Sequence, residues 1–264
     1  MKTIAIMNNK GGVGKTVTAI NLADILVRHY RKRVLLVDCD GQMNLTRFYL
    51  PEFDPEVSLS LADVLEGSCE SVWENNVMPI QPGLDLLPGS SGLYDLDFKA
   101  LDGDCGLNGG LLGVFLDAVA EDGKVDYVIC DCPPGYTLAS VNALMAADEV
   151  VVPMLLDGFS FSGMMDLQGQ LRSIRSADGR DKLAGVLLTQ WHNSEVVRQG
   201  EELVRTLKAP VFQTVIRRTD KVPESTFMRQ PVYRYSPRSA AALDYLAWAR
   251  EYIGPFPPAN ETEV

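Results

Sequence analysis

An apolar run, Thr3-Ile4-Ala5-Ile6, leads into Lys10-Gly11-Gly12-Val13-Gly14-Lys15-Thr16, and a helical pattern follows over Thr16–Tyr30. Strand, glycine-rich loop and helix in that order constrain the fold more than any other feature of this chain. Glycines let the backbone N–H groups wrap an anion without Cβ clashes, and the helix N-terminus adds a favourable dipole. The Gly-Lys-Thr ending sets one ammonium and one hydroxyl at the mouth of the same helix. This set suits a nucleotide's phosphates, with Gly11, Gly12, Val13, Gly14, Lys15, Thr16 and Val17 as the cradle. Lys15 is expected to neutralise the β- and γ-phosphates and the Thr16 hydroxyl to hold Mg²⁺. The glycine that opens such a loop in the pattern G-x-x-x-x-G-K is Asn9 here. A phosphate loop needs one lysine, so Lys10 calls for a further explanation.

Near-continuous apolar runs at 2–8, 33–38, 84–89, 126–131, 149–155 and 182–190 read as strands covered on both faces, as in a parallel sheet. Helical patterns at 16–30, 110–122, 138–147, 161–175, 195–207 and 239–253 lie between or after them. This alternation predicts an α/β fold, a doubly wound, mostly parallel sheet flanked by helices. A single domain is expected over 1–253. Residues 54–109, rich in Gly, Pro, Ser and acidic residues, read as an irregular surface insertion with short helices. The Pro-rich, acidic stretch 254–264 is expected to be disordered.

No apolar run approaches the roughly 20 residues that a membrane span requires, and the N-terminal stretch reads as a strand, not as a signal peptide. The five cysteines, Cys39, Cys69, Cys105, Cys130 and Cys132, form no C-x-x-C pair, which favours small buried hydrophobes over a disulfide framework and a reducing cytoplasm as the setting. Net charge is −11, against a uniformly basic nucleic-acid binder, but it is unevenly spread. From Arg172 to Arg238 there are 13 Lys/Arg and 7 Asp/Glu. Such asymmetry bears on partners.

Three motifs in order carry a resemblance. "KGGVGKT" resembles the deviant phosphate loop of the ParA/MinD family of P-loop ATPases, whose signature is the additional lysine. "VLLVDCDGQMNLT" resembles the family's second acidic motif, D-x-D-P-Q-G-N, with Gly41 in place of its proline and Met43 in place of its glycine. "VDYVICDCPPGYT" resembles the Walker B strand and the switch after it, where Pro133 and Pro134 shape the turn. The resemblance implies a P-loop NTPase fold that binds ATP and Mg²⁺ and hydrolyses ATP slowly. It implies that two subunits sandwich two ATPs in a homodimer, with Lys10 reaching the nucleotide of the other subunit. Asp40 matches the carboxylate that positions the attacking water, Asp131 with Thr16 the metal site, and Asp157 an acidic residue near the dimer interface.

From Gly185 to Tyr245 the chain resembles the C-terminal half of small ParA/Soj-type proteins. That implies a base pocket including Arg218 and a nonspecific DNA surface including Arg198, Arg217, Arg218, Lys221 and Arg229, contacting phosphates without reading bases. Whether Trp191, His192 or Arg218 frames the adenine stays open. With nine residues before Lys10, no operator-reading domain is expected, and the acidic, proline-broken end does not match a membrane-docking helix. The expected function is therefore ATP-dependent partition of plasmid, mobile-element or chromosomal DNA. It would be cytoplasmic, nucleoid-associated in the ATP state, and stimulated by a ParB-like protein. The alternative is a MinD-like or cargo-positioning switch without DNA contact.

Overall fold

The computed structural model describes residues 1–68, 72–101, 110–156, 169, 182–206 and 209–258. Among these, the strands are β1 (Lys2–Ile6), β2 (Val34–Asp38), β3 (Met78–Gln81), β4 (Leu84–Leu87), β5 (Tyr127–Asp131), β6 (Glu149–Leu155) and β7 (Leu183–Thr189). They form one sheet in the order β3-β4-β2-β5-β1-β6-β7, parallel throughout except for β3 against β4. The helices are α1 (Lys15–Tyr30), α2 (Asn44–Tyr49), α3 (Leu61–Glu66), α4 (Trp73–Asn76), α5 (Gly92–Leu101), α6 (Leu111–Glu121), α7 (Leu138–Ala146), α8 (Glu195–Arg205), α9 (Lys221–Phe227), α10 (Val232–Tyr235) and α11 (Ala240–Ile253). This is the doubly wound, mostly parallel α/β sheet that the alternation of the sequence predicts.

Side chains of successive strand residues point to opposite faces. In β2, Leu35 and Val37 join one apolar core with α3, α5, α6 and α7, while Val34 and Leu36 join a second with α1 and α11. All five β2 residues are buried, so its unbroken apolar run is what a strand between two helical layers requires. Pro153, in β6, lies beyond the last pairing of that strand with β1 at Ile6 and Val151, so its missing N–H breaks no ladder bond on that side. Its carbonyl instead accepts from the Asn8 side chain at 2.7 Å, where β1 turns into the glycine loop.

Two expectations are corrected. The strand read at 84–89 is present as β4, internal beside β2 with Leu84, Leu86 and Leu87 fully buried, so the stretch 54–109 around it is not surface decoration. Leu61, Leu65, Leu93 and Leu96 from the same stretch enter the core. The sequence reading missed β3, a short antiparallel edge strand whose four residues are only partly covered and carry no long apolar run. The end of the chain also differs as far as residue 258. Phe256 stacks on His29 at 4.7 Å and Tyr30 Oη donates to the Gly254 carbonyl, which ties this segment to α1. The helix expected over 161–175 lies outside the described residues except for Gly169, as do Cys69 and Cys105.

Cys39, Cys130 and Cys132 sit side by side because β2 and β5 pair in register, Val37 with Cys130 and Asp38 with Asp131. All three are free and buried. Hydrogen bonds with Cys130 and Cys132, together with burial, push the Cys39 thiol well above its ordinary range. A thiol held protonated is a poor nucleophile, and Cys130 and Cys132 are as deeply buried, so the three form a small apolar wall at the sheet's carboxyl edge.

Leu86→Ala is expected to cost about 2–5 kcal/mol, the usual range for a buried leucine. A loss under about 0.5 kcal/mol in chemical denaturation would return this stretch to the surface. Peptide-mapped iodoacetamide labelling of the native chain should leave Cys39, Cys130 and Cys132 unmodified, and modification at rates seen in the unfolded chain would contradict the buried wall.

Candidate functional site

The loops after β1, β2, β5 and β7 open on one cleft of about 1270 Å³ at the carboxyl edge of the sheet, where ligands bind in folds of this class. Its floor is the glycine loop. Gly12 and Gly14 adopt φ of 73° and 88°, a left-handed conformation that side chains other than glycine's rarely take. Asn8 anchors the loop start, its side chain accepting from Lys10 N at 2.9 Å while donating to Pro153. Thr189 Oγ1 donates to Val13 O at 2.8 Å and Gln190 Nε2 to Gly12 O at 2.6 Å, fastening the loop's far side to the end of β7.

Lys15 opens α1 and is buried, with Nζ donating at 3.0 Å to the carbonyls of both Asn8 and Lys10. Burial lowers its pKa, opposed by the nearby Asp131, Cys132 and Asp40. Two hydrogen-bonded carbonyls hold the ammonium in place while leaving its third donor direction unused by these bonds.

Three carboxylates stand at this edge of the sheet in different states of engagement, and Asp131 and Asp40 face Lys15. Asp38 is fully buried: Oδ2 accepts from Thr46 N at 2.8 Å and Thr46 Oγ1 at 2.7 Å, and Oδ1 from Asp40 N at 3.2 Å. Burial raises its pKa to about 6 despite these hydrogen bonds. Its task is to tie down the 39–46 loop, whose turn needs Met43 at φ 60°. Glycine, which the resembling motif has at this place, takes that left-handed geometry without strain, and burial of the Met43 side chain offsets part of its cost here. Asp40, held by Gln42 N at 2.9 Å, lines the cleft. Asp131 is 1% exposed, and its pKa is pushed well up by burial first and Asp38 second, with a Thr16 hydrogen bond opposing. Its Oδ1 is buried and has no hydrogen-bond partner among the described residues.

Of the residues singled out in the sequence, Gly11, Gly12, Gly14, Lys15, Thr16, Val17, Asp40, Pro133, Pro134, Arg217, Arg218 and Arg229 line the cleft. Val13 does not: its side chain is buried and only its carbonyl serves the loop. Lys10 is exposed and stands outside the cleft wall, at the loop's outer edge. Asp157 lies outside the described residues. Among the three adenine candidates, only Arg218 lines the cleft, since the Trp191 indole N–H donates to Glu201 at 2.8 Å and His192 sits on the surface.

The proposed DNA cations do not form one uniform set. Arg198 pairs with Glu195 at 2.7 Å, Arg217 with Asp244 at 2.7 Å and Lys221 with Glu224 at 2.6 Å. Arg218 and Arg229 are exposed on the cleft rim and carry no ion pair among the described residues. Sequence reasoning missed Thr189, Gln190, Arg47 and Tyr94 as cleft residues. Nothing local marks them, because each arrives from a separate loop or helix.

Comparison with known proteins agrees with this arrangement. A family model described as "AAA domain" matches residues 1–184. The chromosome partitioning protein ParA of Caulobacter vibrioides is 33% identical over 258 residues, covering 96% of this chain and 94% of that protein. The sporulation initiation inhibitor protein Soj of Bacillus subtilis is 32% identical over 256 residues, covering 95% and 97%. Among solved structures, the cobyrinic acid a,c-diamide synthase of Mycobacterium smegmatis with a bound ATP analogue and magnesium superposes with a TM-score of 0.75. It is 26% identical and covers 94% of this chain and 93% of that one. Glycine loop, buried lysine and paired acidic loops on one doubly wound sheet, with near-complete coverage by such relatives, lead to one conclusion: the chain belongs to the ParA/MinD family of P-loop ATPases.

Proposed function

We propose that this chain is a dimerising partition ATPase that binds nonspecific DNA in its ATP state and segregates plasmid, mobile-element or chromosomal DNA with a ParB-like partner. The observation that carries the reading is the division of labour between two lysines of one loop: Lys15 buried inside the cleft, Lys10 exposed at its outer edge. One cation serves the chain's own nucleotide. The other is placed to meet a nucleotide held by a second copy, which makes association depend on the triphosphate.

The residues present fit a nucleotide with Mg²⁺. Asp131 keeps a buried oxygen without a partner beside the Thr16 hydroxyl, the donor set a hard cation takes. When bound there, the ion would neutralise phosphate charge. Phosphoryl transfer depends on positioning and charge neutralisation more than on a strong base. Lys15 would bind the outer phosphates, the glycine-loop N–H groups would hold them, and Asp40 would orient the attacking water. Because Lys10 completes the set only in the dimer, turnover is slow and open to stimulation by a partner.

The second reading, a cargo-positioning switch without DNA contact, is favoured by one observation. Arg198, Arg217 and Lys221 are already neutralised within the chain, so each would have to exchange a carboxylate for a DNA phosphate. DNA binding is therefore assigned first to Arg218 and Arg229. No helix among the described residues is long and apolar enough to cross a membrane.

Lys15→Ala should weaken nucleotide binding about 10- to 100-fold, the equivalent of one charge-assisted hydrogen-bond set. Lys10→Ala should bind a fluorescent ATP analogue within about 3-fold of wild type. Wild-type specific activity should rise with protein concentration and that of Lys10→Ala should not; a rising curve in Lys10→Ala would contradict the trans role. In a DNA titration at low salt, retention should require ATP and be absent with ADP or no nucleotide. Arg229→Ala should reduce the slope of log K against log salt by about one. If the ATP form retains no DNA, the cargo-switch reading takes its place.

A further inference from the structure

The geometry points to Tyr94 as a positioning residue that stiffens the Asp40 loop in place of the proline this chain lacks. The inference rests on the hydrolytic reading above and deepens it. Gly41 stands where the resembling motif has proline, and glycine has the most conformational freedom to lose. A loop that must aim a carboxylate at one water would be poorly served by glycine unless something else restrains it.

The restraint comes from α5. A Cβ built on Gly41 would lie 2.8 Å from both Cε2 and Cζ of Tyr94, so the ring already fills the space a side chain there would need. The Tyr94 hydroxyl oxygen accepts from Gln42 Nε2 at 2.5 Å, fastening the next residue as well. The same loop is also packed against Gly89, where a Cβ would meet the carbonyl oxygens of Asp38 and Asp40 at 2.8 and 3.0 Å. Backbone at Gly89 and ring at Tyr94 therefore both pack against residues 38–42. Both belong to the stretch that follows β4.

The same helix reaches the second acidic loop. Asp97 Oδ1, one turn on from Tyr94, accepts from Leu138 N at 2.7 Å, at the start of α7 just after the Pro133-Pro134 turn. Tyr94 and Asp97 thus connect the Asp40 loop with the segment after Asp131. Tyr94 lines the cleft, and its contacts on this loop are with Gly41 and Gln42. Its effect passes through Asp40, which distinguishes it from a group that touches the reacting atoms.

Proline is the residue that the resembling motif has at Gly41, and two obstacles to it are absent. The φ of Gly41 is outside the left-handed region, and its N–H makes no hydrogen bond among the described residues. This permits a reciprocal test with Tyr94→Ala, Gly41→Pro, the double variant and Tyr94→Phe. Tyr94→Ala should lower kcat about 10-fold or more while KM for ATP changes less than about 3-fold, because a misplacement near 1 Å can cost on the order of 100-fold. Gly41→Pro alone should be impaired by its clash with the ring. The double variant should recover kcat to within about 3-fold of wild type, a non-additivity that independent structural damage would not produce. Tyr94→Phe, which keeps the ring, should lose only a few-fold.

Wild-type kcat in Tyr94→Ala, or a double variant no better than the product of the single losses, would overturn the inference and leave the ATPase reading intact. Hydrogen exchange of the 39–44 amides supplies a readout independent of hydrolysis. Loosening in Tyr94→Ala and recovery in the double variant would uphold the clamp even if wild type proved unable to hydrolyse ATP, an outcome that would sink the ATPase reading alone. Unchanged exchange in Tyr94→Ala would remove the clamp.

Discussion

The site depends on a buried ammonium, Lys15, held among buried carboxylates at the carboxyl edge of a parallel sheet. Taking charges out of water is costly unless they are paired and hydrogen-bonded. Here Lys15 is satisfied by two loop carbonyls and faces Asp131 and Asp40, while Asp131 retains an oxygen that no described group satisfies. The carbonyls that hold Lys15 come from Asn8 and Lys10, so the buried lysine also fixes the start of the loop that presents the exposed one. Internal charge and external reach are mechanically joined.

A second theme is the support behind the acidic groups. Asp38 does not face the cleft but holds Thr46, and Thr46 Oγ1 in turn accepts from Gly89 N at 3.0 Å. Gly89 and Tyr94 both pack against the loop that carries Asp40. The loop's tolerance of Gly41 and of a left-handed Met43 follows from this external scaffold. Local sequence there departs from the family pattern, and tertiary packing supplies what the departures remove.

The phosphate loop was legible because its requirements are local: glycines at left-handed positions, a lysine and a hydroxyl at one helix start. Asp131 was legible as the last residue of an apolar strand. The strand at 84–87 was legible in the same way, but the role of Gly89 and Tyr94 was not, because it lies in contacts with residues about 50 positions away. Arg217 looked available for DNA because its partner, Asp244, is 27 residues on. Arg198 with Glu195 and Lys221 with Glu224 are a different matter. Both pairs stand three residues apart on helices, a spacing that signals pairing from sequence alone.

The central claim is that the third phosphate joins two chains through Lys10. Sedimentation equilibrium of the wild-type chain without nucleotide, with ADP and with a nonhydrolysable ATP analogue tests it most directly. The account predicts the mass of one 29.0 kDa chain in the first two conditions and twice that mass in the third. One mass in all three conditions would contradict it.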